Sequence, residues 1–204
     1  MIRLPLPHYI LAGGRSRRFG RDKARYEIDG VPMLTRVAEA MRPLATRTTG
    51  IARTESAYQD LGLNTIADAI PDAGPLGGVY TALSHAAGFK SELHPVNDWV
   101  LITSCDWHQP DPHRVRALAE HQDLQARVVA YKQTSWIEPF PALYCVGMMA
   151  TAKRRIKQNS LAMQGLFEEL GSAVSIQHLD QAEPLDLDTA PDLDAPNDGQ
   201  DPAS

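Results

Sequence analysis

Early in the chain, a short apolar run opens directly into a segment rich in glycine and arginine. Residues 9–12 are predicted to form a buried strand, and residues 13–23 read Gly-Gly-Arg-Ser-Arg-Arg-Phe-Gly-Arg-Asp-Lys. Gly13 and Gly14 can adopt backbone angles closed to other residues, so successive amides can turn toward one anion. The four arginines and Lys23 add charge-assisted donors for phosphate oxygens. The segment therefore predicts a phosphate-binding loop of the kind that holds a triphosphate.

Two common phosphate-binding motifs do not match this loop. A P-loop requires Gly-Lys-Ser/Thr five residues after its first glycine, but Arg18 and Phe19 stand five residues after Gly13 and Gly14. The dinucleotide fingerprint Gly-x-Gly-x-x-Gly is also absent from this loop. The order Leu-Ala-Gly-Gly-x-Ser-x-Arg-Phe-Gly-x-Asp-Lys closely resembles the signature of the molybdenum cofactor guanylyltransferases (MobA-type). An ordinary turn followed by a solvated basic segment is the alternative interpretation.

Length and charge limit the class of protein. A chain of 204 residues, 43% of them hydrophobic, can form one substantial core and predicts a single domain. The formal net charge of −5 argues against a nucleic-acid-binding surface. Cys105 and Cys145 are too few for a zinc cage or a disulfide framework, and neither a signal peptide nor a long apolar span is visible. We therefore expect a soluble, cytoplasmic protein that binds a small anion and has no nucleic-acid or membrane partner.

Strand and helix patterns alternate along most of the chain. This alternation predicts an α/β fold with a doubly wound, mostly parallel sheet, the Rossmann-like nucleotidyltransferase fold of the resembled family. Ligands of such sheets bind beyond the carboxyl ends of the strands, where the phosphate loop, Asp68 and Asp106 all fall. Predicted strands lie at 9–12, 48–51, 64–67, 99–103, 127–131, 137–144 and 174–179, and predicted helices at 32–41, 56–61, 77–87, 112–121, 149–157 and 161–170.

The last third of the chain has a different pattern and is predicted to form a small mixed lobe on the substrate side of the same sheet. We expect the nucleotidyltransferase domain to span residues 1–193. Residues 194–204 are expected to form a disordered tail, because they are rich in proline, aspartate and glycine and lack large apolar side chains.

Asp68 follows a predicted strand and precedes the glycine-rich segment Gly74-Pro-Leu-Gly-Gly78. A carboxylate can accept hydrogen bonds from a base edge or a ribose hydroxyl, and small loop residues let backbone groups approach a flat base. In the resembled family the matching residues embrace the nucleotide, which implies nucleotide contacts for Asp68 and Gly78. An Asp that caps a structural turn is the alternative.

Asp106 ends the clearest apolar strand and resembles the metal-binding Asp of the family. A carboxylate here suits Mg²⁺, which prefers oxygen donors and commonly takes one or two protein carboxylates along with phosphate oxygens and water. The family's usual continuation is a small or apolar residue and then proline, whereas this chain continues with Trp107-His108-Gln109-Pro110. His108 is expected to be a surface loop histidine, with a substrate contact as the alternative.

Three further segments carry looser matches. Asp186 and Asp188 alternate along a predicted extended segment, and the resemblance makes Asp188 a second metal contact, with a plain helix cap as the alternative. Residues 138–144 resemble the family's Pro-x-x-Ala-Leu strand, expected to line the acceptor pocket. Gly50 and Ala52 replace an Asn-x-Asn of many guanylyltransferases, so one base contact of the family is missing.

The resemblance runs from about residue 9 to 193 and implies one reaction. The terminal phosphate of molybdopterin attacks the α-phosphorus of GTP, giving the dinucleotide cofactor and pyrophosphate, with Mg²⁺ as cofactor. Lys23, Arg18 and Asp106 are the implied catalytic residues, and Asp106 and Asp188 the implied metal ligands. The implied nucleotide-binding residues are Leu11, Ala12, Gly13, Gly14, Lys23, Asp68, Gly78 and Asp106. Molybdopterin-delivering or molybdoenzyme-maturation proteins are possible transient partners.

Three other functions remain open at this point. A cytidylyltransferase for the same acceptor is favoured by Asp188 and by the missing amides. The Leu-Ala-Gly-Gly sequence favours the guanylyl branch, because the cytidylyl branch often has Leu-Ala-Ala-Gly. A sugar or alditol phosphate nucleotidyltransferase is the second. A nucleotide-binding partner without turnover is the third, and the presence of both Lys23 and Asp106 argues against it.

Overall fold

In the part of the chain that the structure describes, seven strands form one mixed sheet. The structure is a computed structural model that describes residues 2–13, 22–89, 99–120 and 125–178. The strands, in chain order, are β1 (Leu6–Leu11), β2 (Glu27–Ile28), β3 (Val31–Pro32), β4 (Ala45–Ala52), β5 (Thr65–Ala67), β6 (Trp99–Ser104), β7 (Val128–Gln133), β8 (Trp136–Cys145) and β9 (Val174–His178). The large sheet has the order β5-β4-β1-β6-β8-β7-β9, and β2 pairs only with β3.

The strand directions place the carboxyl ends of most strands on one side. β1 runs parallel to β4 and β6, β4 runs parallel to β5, and β7 runs parallel to β9. β8 is antiparallel to both of its neighbours, β6 and β7, and a tight turn joins it to β7 in a hairpin. The chain leaves β1 to one side for β4 and returns on the other side for β6, and ligands of open α/β sheets bind beyond the carboxyl ends of the strands at such a switch point. The predicted doubly wound, mostly parallel α/β sheet is confirmed.

Five helices of the described ranges cover the two faces of this sheet. They are α1 (Met33–Met41), α2 (Gly74–Gly88), α3 (Pro112–Glu120), α4 (Met149–Lys157) and α5 (Met163–Leu170). The core cluster on one face contains Leu34 and Val37 of α1 and Leu118 of α3. The cluster on the other face contains Leu83 of α2 and Phe167 of α5. In the described parts of the chain, no helix has both the length and the apolar character that crossing a membrane requires.

The helix predicted at 56–61 is wrong. The structure has only a short 3-10 turn, Gln59–Leu61. Ser56 has a φ of +59°, which no α-helix accommodates, and Gly62 ends the turn in the left-handed conformation. Helix α2 also begins three residues earlier than predicted, with Pro75 in its first turn, where the missing N–H of proline costs nothing.

His8 lies fully buried in β1, at the centre of the sheet. Its Nδ1 lies 3.2 Å from Oγ1 of Thr48 on β4, and its Nε2 lies 3.0 Å from Oγ1 of Thr103 on β6. A neutral imidazole has one donor and one acceptor, and each hydroxyl can supply the complement. Burial lowers the pKa of His8 to about 3, so the imidazole is neutral in the folded protein.

This burial predicts acid sensitivity. Between pH 6.5, where an unperturbed histidine titrates, and a folded-state pKa of about 3, the unfolded chain binds the proton and the folded chain does not, so the free energy of unfolding falls as pH falls. From pH 7 to pH 5 the His8 contribution amounts to a loss of about 2 kcal/mol. Urea unfolding of the wild type and of His8→Gln at pH 7 and pH 5 gives the fall in the free energy of unfolding for each protein. The His8 contribution is the difference between these two falls. If the free energy of unfolding falls equally in both proteins, protonation of His8 does not destabilise the fold.

Candidate functional site

Three strand ends meet at the carboxyl edge of the sheet. The backbone ladder continues one residue past each strand: Ala12 N donates to Ile51 O at 2.9 Å, Cys105 N to Leu11 O at 3.0 Å, and Asp68 N to Ala52 O at 2.7 Å. These bonds fix the residues that follow β1, β5 and β6 in one row. The structure thus brings Ala12, Asp68 and Asp106 to the same edge of the sheet.

Lys23 and Asp106 form an ion pair at this edge. Lys23 Nζ lies 3.3 Å from Asp106 Oδ2, and the two side chains are 16% and 20% exposed. Lys23 begins a 3-10 turn, Lys23–Arg25, which Asp22 caps by accepting a hydrogen bond from Ala24 N at 3.1 Å. The pair joins residues 83 positions apart in the sequence. It sets an ammonium and a carboxylate side by side, where a polyphosphate and its metal ion could meet them.

The donor set at Asp106 suits a metal that arrives with a phosphate ligand. In residues 2–13, 22–89, 99–120 and 125–178 there is no cluster of three or more His, Cys, Asp or Glu side chains that could hold a metal by itself. Mg²⁺ commonly keeps several waters and takes one or two carboxylates plus substrate phosphates. One partly exposed carboxylate beside an ammonium therefore fits such a metal.

Tyr58 joins the two ends of the predicted phosphate loop. Its hydroxyl lies 3.1 Å from Ala12 O and 3.2 Å from Asp22 Oδ1, and the residue is only 4% exposed. Sequence reasoning missed Tyr58, because residues 56–61 were assigned to an ordinary helix. No local signal could have found it, since both acceptors are more than 30 positions away along the chain.

The carboxylate of Asp68 accepts two hydrogen bonds from within the protein, independently of any ligand. Its Oδ1 accepts hydrogen bonds from Thr81 Oγ1 at 2.8 Å and from Ile70 N at 3.2 Å. Thr81 is a buried residue of α2, so the carboxylate ties the segment after β5 to that helix. Oδ2 takes part in neither bond. Only one of the two carboxylate oxygens is therefore committed by these two bonds.

The family of the chain is shown by comparison with known proteins. Residues 8–174 match the family model of the MobA-like NTP transferase domain. The chain belongs to this family. The resemblance inferred from the glycine-rich loop is thereby confirmed.

Two curated relatives illustrate the similarity. A probable molybdenum cofactor guanylyltransferase of Carboxydothermus hydrogenoformans is 35% identical over 66% of this chain. The molybdenum cofactor guanylyltransferase of Syntrophotalea carbinolica is 30% identical over 69% of it. In both cases the aligned part spans 63% of the relative's own length.

Solved structures show the same fold at lower identity. Molybdopterin-guanine dinucleotide biosynthesis protein A from Archaeoglobus fulgidus has a TM-score of 0.68 and 21% identity, over 85% of this chain and 83% of that one. A Mycobacterium tuberculosis protein in complex with manganese has a TM-score of 0.60 and 15% identity, over 90% of this chain and 93% of that one.

Two glycines of this MobA-like domain permit close packing beside the site. A Cβ on Gly78 would lie 2.8 Å from Leu11 Cδ2, so a side chain there would require the Leu11 side chain to move. A Cβ on Gly50 would lie 3.2 Å from Leu63 Cδ2 and 3.3 Å from Thr65 Oγ1. A side chain at position 50 would therefore require Leu63 and Thr65 to shift by a few tenths of an ångström. The position where many guanylyltransferases have an asparagine is thus tightly surrounded in this fold.

The unusual residues after Asp106 have a packing role. Trp107 is 3% exposed and belongs to the core cluster on the α1 and α3 face. His108 is partly buried rather than fully exposed, and its Nδ1 is a shielded atom without a hydrogen-bond partner among the described residues. Trp107 thus anchors the chain just after Asp106 by apolar packing, where the family usually has a small or apolar residue and then proline.

The β7–β8 hairpin lies beyond β6 in the sheet order. Residues 138–144, the predicted acceptor strand, lie within β8, and the side-chain amide of Gln164 binds the backbone of Ile137 at both N (3.3 Å) and O (2.7 Å). Trp136, at the start of β8, is 53% exposed. The hairpin is therefore held by α5 and presents an aromatic side chain at its tip.

Some predicted site residues lie outside the described residues. They are Gly14 and Arg18 of the phosphate loop, and Asp186 and Asp188 near the end of the chain. Their implied roles stay predictions. Leu11, Ala12 and Gly13 lie at the end of β1 and in the residues directly after it.

Proposed function

We propose that this protein transfers GMP from GTP to molybdopterin, producing the guanine dinucleotide cofactor and pyrophosphate. The observation that carries the proposal is the Lys23–Asp106 pair beyond the carboxyl ends of β1 and β6. Membership of the MobA-like NTP transferase family and the names of the curated relatives support it. Incubating the purified protein with molybdopterin, Mg²⁺ and GTP labelled at the α-phosphate tests it directly. Label that stays in mononucleotide and never reaches a dinucleotide would contradict the proposal.

Positioning and charge neutralisation supply the catalysis in this proposal. The attacking phosphate of the acceptor is already an anion near neutral pH, so no general base is needed. Lys23 stabilises the negative charge that grows on the α-phosphoryl oxygens and on the leaving pyrophosphate. Arg18 steadies the outer phosphates, as the family resemblance implies. The partial burial of Lys23 strengthens its effect, because water screens the ammonium less than it would at an open surface.

Asp106 is the residue that would hold a divalent cation, and Asp188 is the proposed second contact. When bound, the ion would neutralise phosphate charge and orient the phosphate chain. The structure in complex with manganese, which shares the fold, supports divalent metal use in such sheets. We propose Mg²⁺ as the ion, since a single carboxylate beside phosphate oxygens is a typical magnesium environment.

The choice of base is proposed to rest on Asp68. Its Oδ2 is outside the bonds to Thr81 and Ile70, and the two lone pairs of that oxygen can accept from both the N1–H and the N2–H donors of guanine. Cytosine offers no such pair, so buried polar groups would stay unsatisfied at a cost of roughly 1–3 kcal/mol each. We predict that GTP with Mg²⁺ raises the Tm more than CTP does, and that Asp68→Ala removes most of the difference.

Thr81→Val is the matched control for this experiment. It removes the hydrogen bond to Asp68 but keeps the carboxylate, so the Tm without ligand should fall while the preference for GTP remains. If Thr81→Val abolishes the preference for GTP as completely as Asp68→Ala does, the preference depends on the local structure around Asp68 and not on a contact between its carboxylate and the base. A wild-type protein stabilised equally by CTP and GTP would contradict guanine selectivity.

A cytidylyltransferase for the same acceptor is the second candidate. Gly50 favours it, because the amide that many guanylyltransferases carry at this position is absent, and Leu63 and Thr65 tightly surround the place of a side chain there. The chemistry at Lys23 and Asp106 would be unchanged. The same panel of nucleotides separates the two candidates.

A further inference from the structure

We propose that Tyr58 is a positioning residue that fixes Lys23 relative to the end of β1. This inference rests on the proposed function, in which Lys23 contacts the phosphates. It goes beyond that function by identifying the side chain that fixes the position of Lys23.

The geometry of the hydroxyl carries the inference. One oxygen atom lies within hydrogen-bond distance of Ala12 O and of Asp22 Oδ1. Ala12 directly follows β1, and Asp22 caps the turn that begins at Lys23. Since a tyrosine has one hydroxyl proton, the two acceptors share it. The Tyr58 hydroxyl thus connects the two parts of the chain that flank residues 14–21, through the backbone of Ala12 and the side chain of Asp22.

The surroundings of Tyr58 hold it in place. The guanidinium of Arg25 lies 5.3 Å from the centre of the Tyr58 ring. It donates hydrogen bonds to both carboxylate oxygens of Asp60, at 2.5 and 2.9 Å. It also donates to the backbone oxygen of Ala57 at 2.9 Å. Arg25 is the last residue of the Lys23 turn. That turn is therefore attached to the segment around Tyr58 at both ends, through Asp22 and through Arg25.

The hydroxyl remains a donor over the whole working pH range. Burial and the nearby Asp22 carboxylate raise the pKa of Tyr58, so the proton stays on the oxygen. Catalysis by positioning is steep, since a displacement of about 1 Å can cost on the order of a hundredfold in rate. Removing the hydroxyl should therefore affect turnover more than nucleotide binding.

Tyr58→Phe tests the inference, with Tyr131→Phe as a matched control. Tyr131 is also buried, at 3% exposed, and its hydroxyl donates to the backbone oxygen of Arg114 at 2.9 Å, on α3. Both variants should lower the Tm by comparable amounts. Tyr58→Phe should lower kcat about tenfold with a smaller change in the KM for nucleotide, and Tyr131→Phe should leave kcat unchanged. A wild-type kcat in Tyr58→Phe, or equal losses of kcat in both variants, would overturn the inference.

A double variant that combines Tyr58→Phe with Lys23→Ala tests whether Tyr58 acts through Lys23. If Tyr58 acts through Lys23, adding Tyr58→Phe to Lys23→Ala should lower kcat by less than about twofold more. A further tenfold loss in that background would mean that Tyr58 acts elsewhere, and would contradict the inference.

A spectroscopic readout keeps this inference separate from the proposed function. The chain has five lysines, Lys23, Lys90, Lys132, Lys153 and Lys157, so ¹³C-dimethylation gives a short set of NMR signals that single-lysine variants can assign. The Lys23 signal should move in Tyr58→Phe and stay in place in Tyr131→Phe. An unmoved Lys23 signal in Tyr58→Phe overturns the positioning role, even if dinucleotide formation is observed. A moved signal supports it, even if the wild-type protein transfers no nucleotide to molybdopterin.

Discussion

Asp106→Asn is expected to lower dinucleotide formation by a factor of roughly 100 to 1,000 while leaving the fold intact. The amide keeps the shape of the side chain but loses the charge that pairs with Lys23 at 3.3 Å and that would hold Mg²⁺. The measurement is the rate as a function of Mg²⁺ concentration, which should shift to higher concentrations. The Mg²⁺-dependent part of the Tm increase with GTP should also shrink.

Asp111→Asn is the control for this variant. Asp111 lies five positions further along the same loop, and its Oδ1 accepts a hydrogen bond from His113 N at 2.8 Å at the start of α3. This substitution makes the same chemical change without touching Lys23, so the magnesium titration should stay at the wild-type position. An Asp106→Asn protein with wild-type activity and an unshifted titration would show that another residue holds the metal.

Lys23→Ala is expected to lower kcat on the order of a hundredfold and to weaken nucleotide binding less. The ammonium interacts most strongly when negative charge moves onto the leaving pyrophosphate, and this shift occurs in the transition state. Single-turnover rates and equilibrium binding of GTP, measured on the same preparation, separate the two effects.

Two further variants sharpen the result for Lys23. Lys153→Ala removes a lysine from the exposed side of α4 and should change neither quantity. Lys23→Arg keeps the positive charge but replaces a compact ammonium with a larger, planar guanidinium. Compared with Lys23→Ala, it should therefore restore GTP binding more fully than kcat. If Lys23→Ala forms the dinucleotide at the wild-type rate, Lys23 has no part in the chemistry.

Much of the secondary structure could be predicted from local pattern. Helix α4 has the predicted bounds, and β6 differs from its prediction by one residue, because each is a strongly patterned segment whose period decides its type. The helix predicted at 56–61 failed where one residue, Ser56, adopts a positive φ that periodicity does not reveal. The place of Asp68 and Asp106 at one edge followed from topology, since the carboxyl ends of parallel strands lie together.

The working details of the site could not be predicted in the same way. The 3.3 Å approach of Lys23 to Asp106, the double contact of Tyr58 and the bond from Thr81 to Asp68 all join residues far apart in the chain. Such contacts depend on how the elements pack, and a sequence pattern reports only neighbours within a few positions. The tight surroundings of Gly50 have the same origin, because they come from the side chains of Leu63 and Thr65.

By itself, the sequence determined the family and the order of the motifs, and it predicted the residue types that would meet a phosphate. Those properties lie in short segments with fixed spacing, such as the glycine-rich loop ending at Lys23. Only the tertiary structure decided which of these side chains touch, how much of Asp68 is left for a ligand, and that Tyr58 spans the ends of the loop. The reason is physical: a hydrogen bond or an ion pair forms over about 3 Å, and only the packed fold brings distant segments that close.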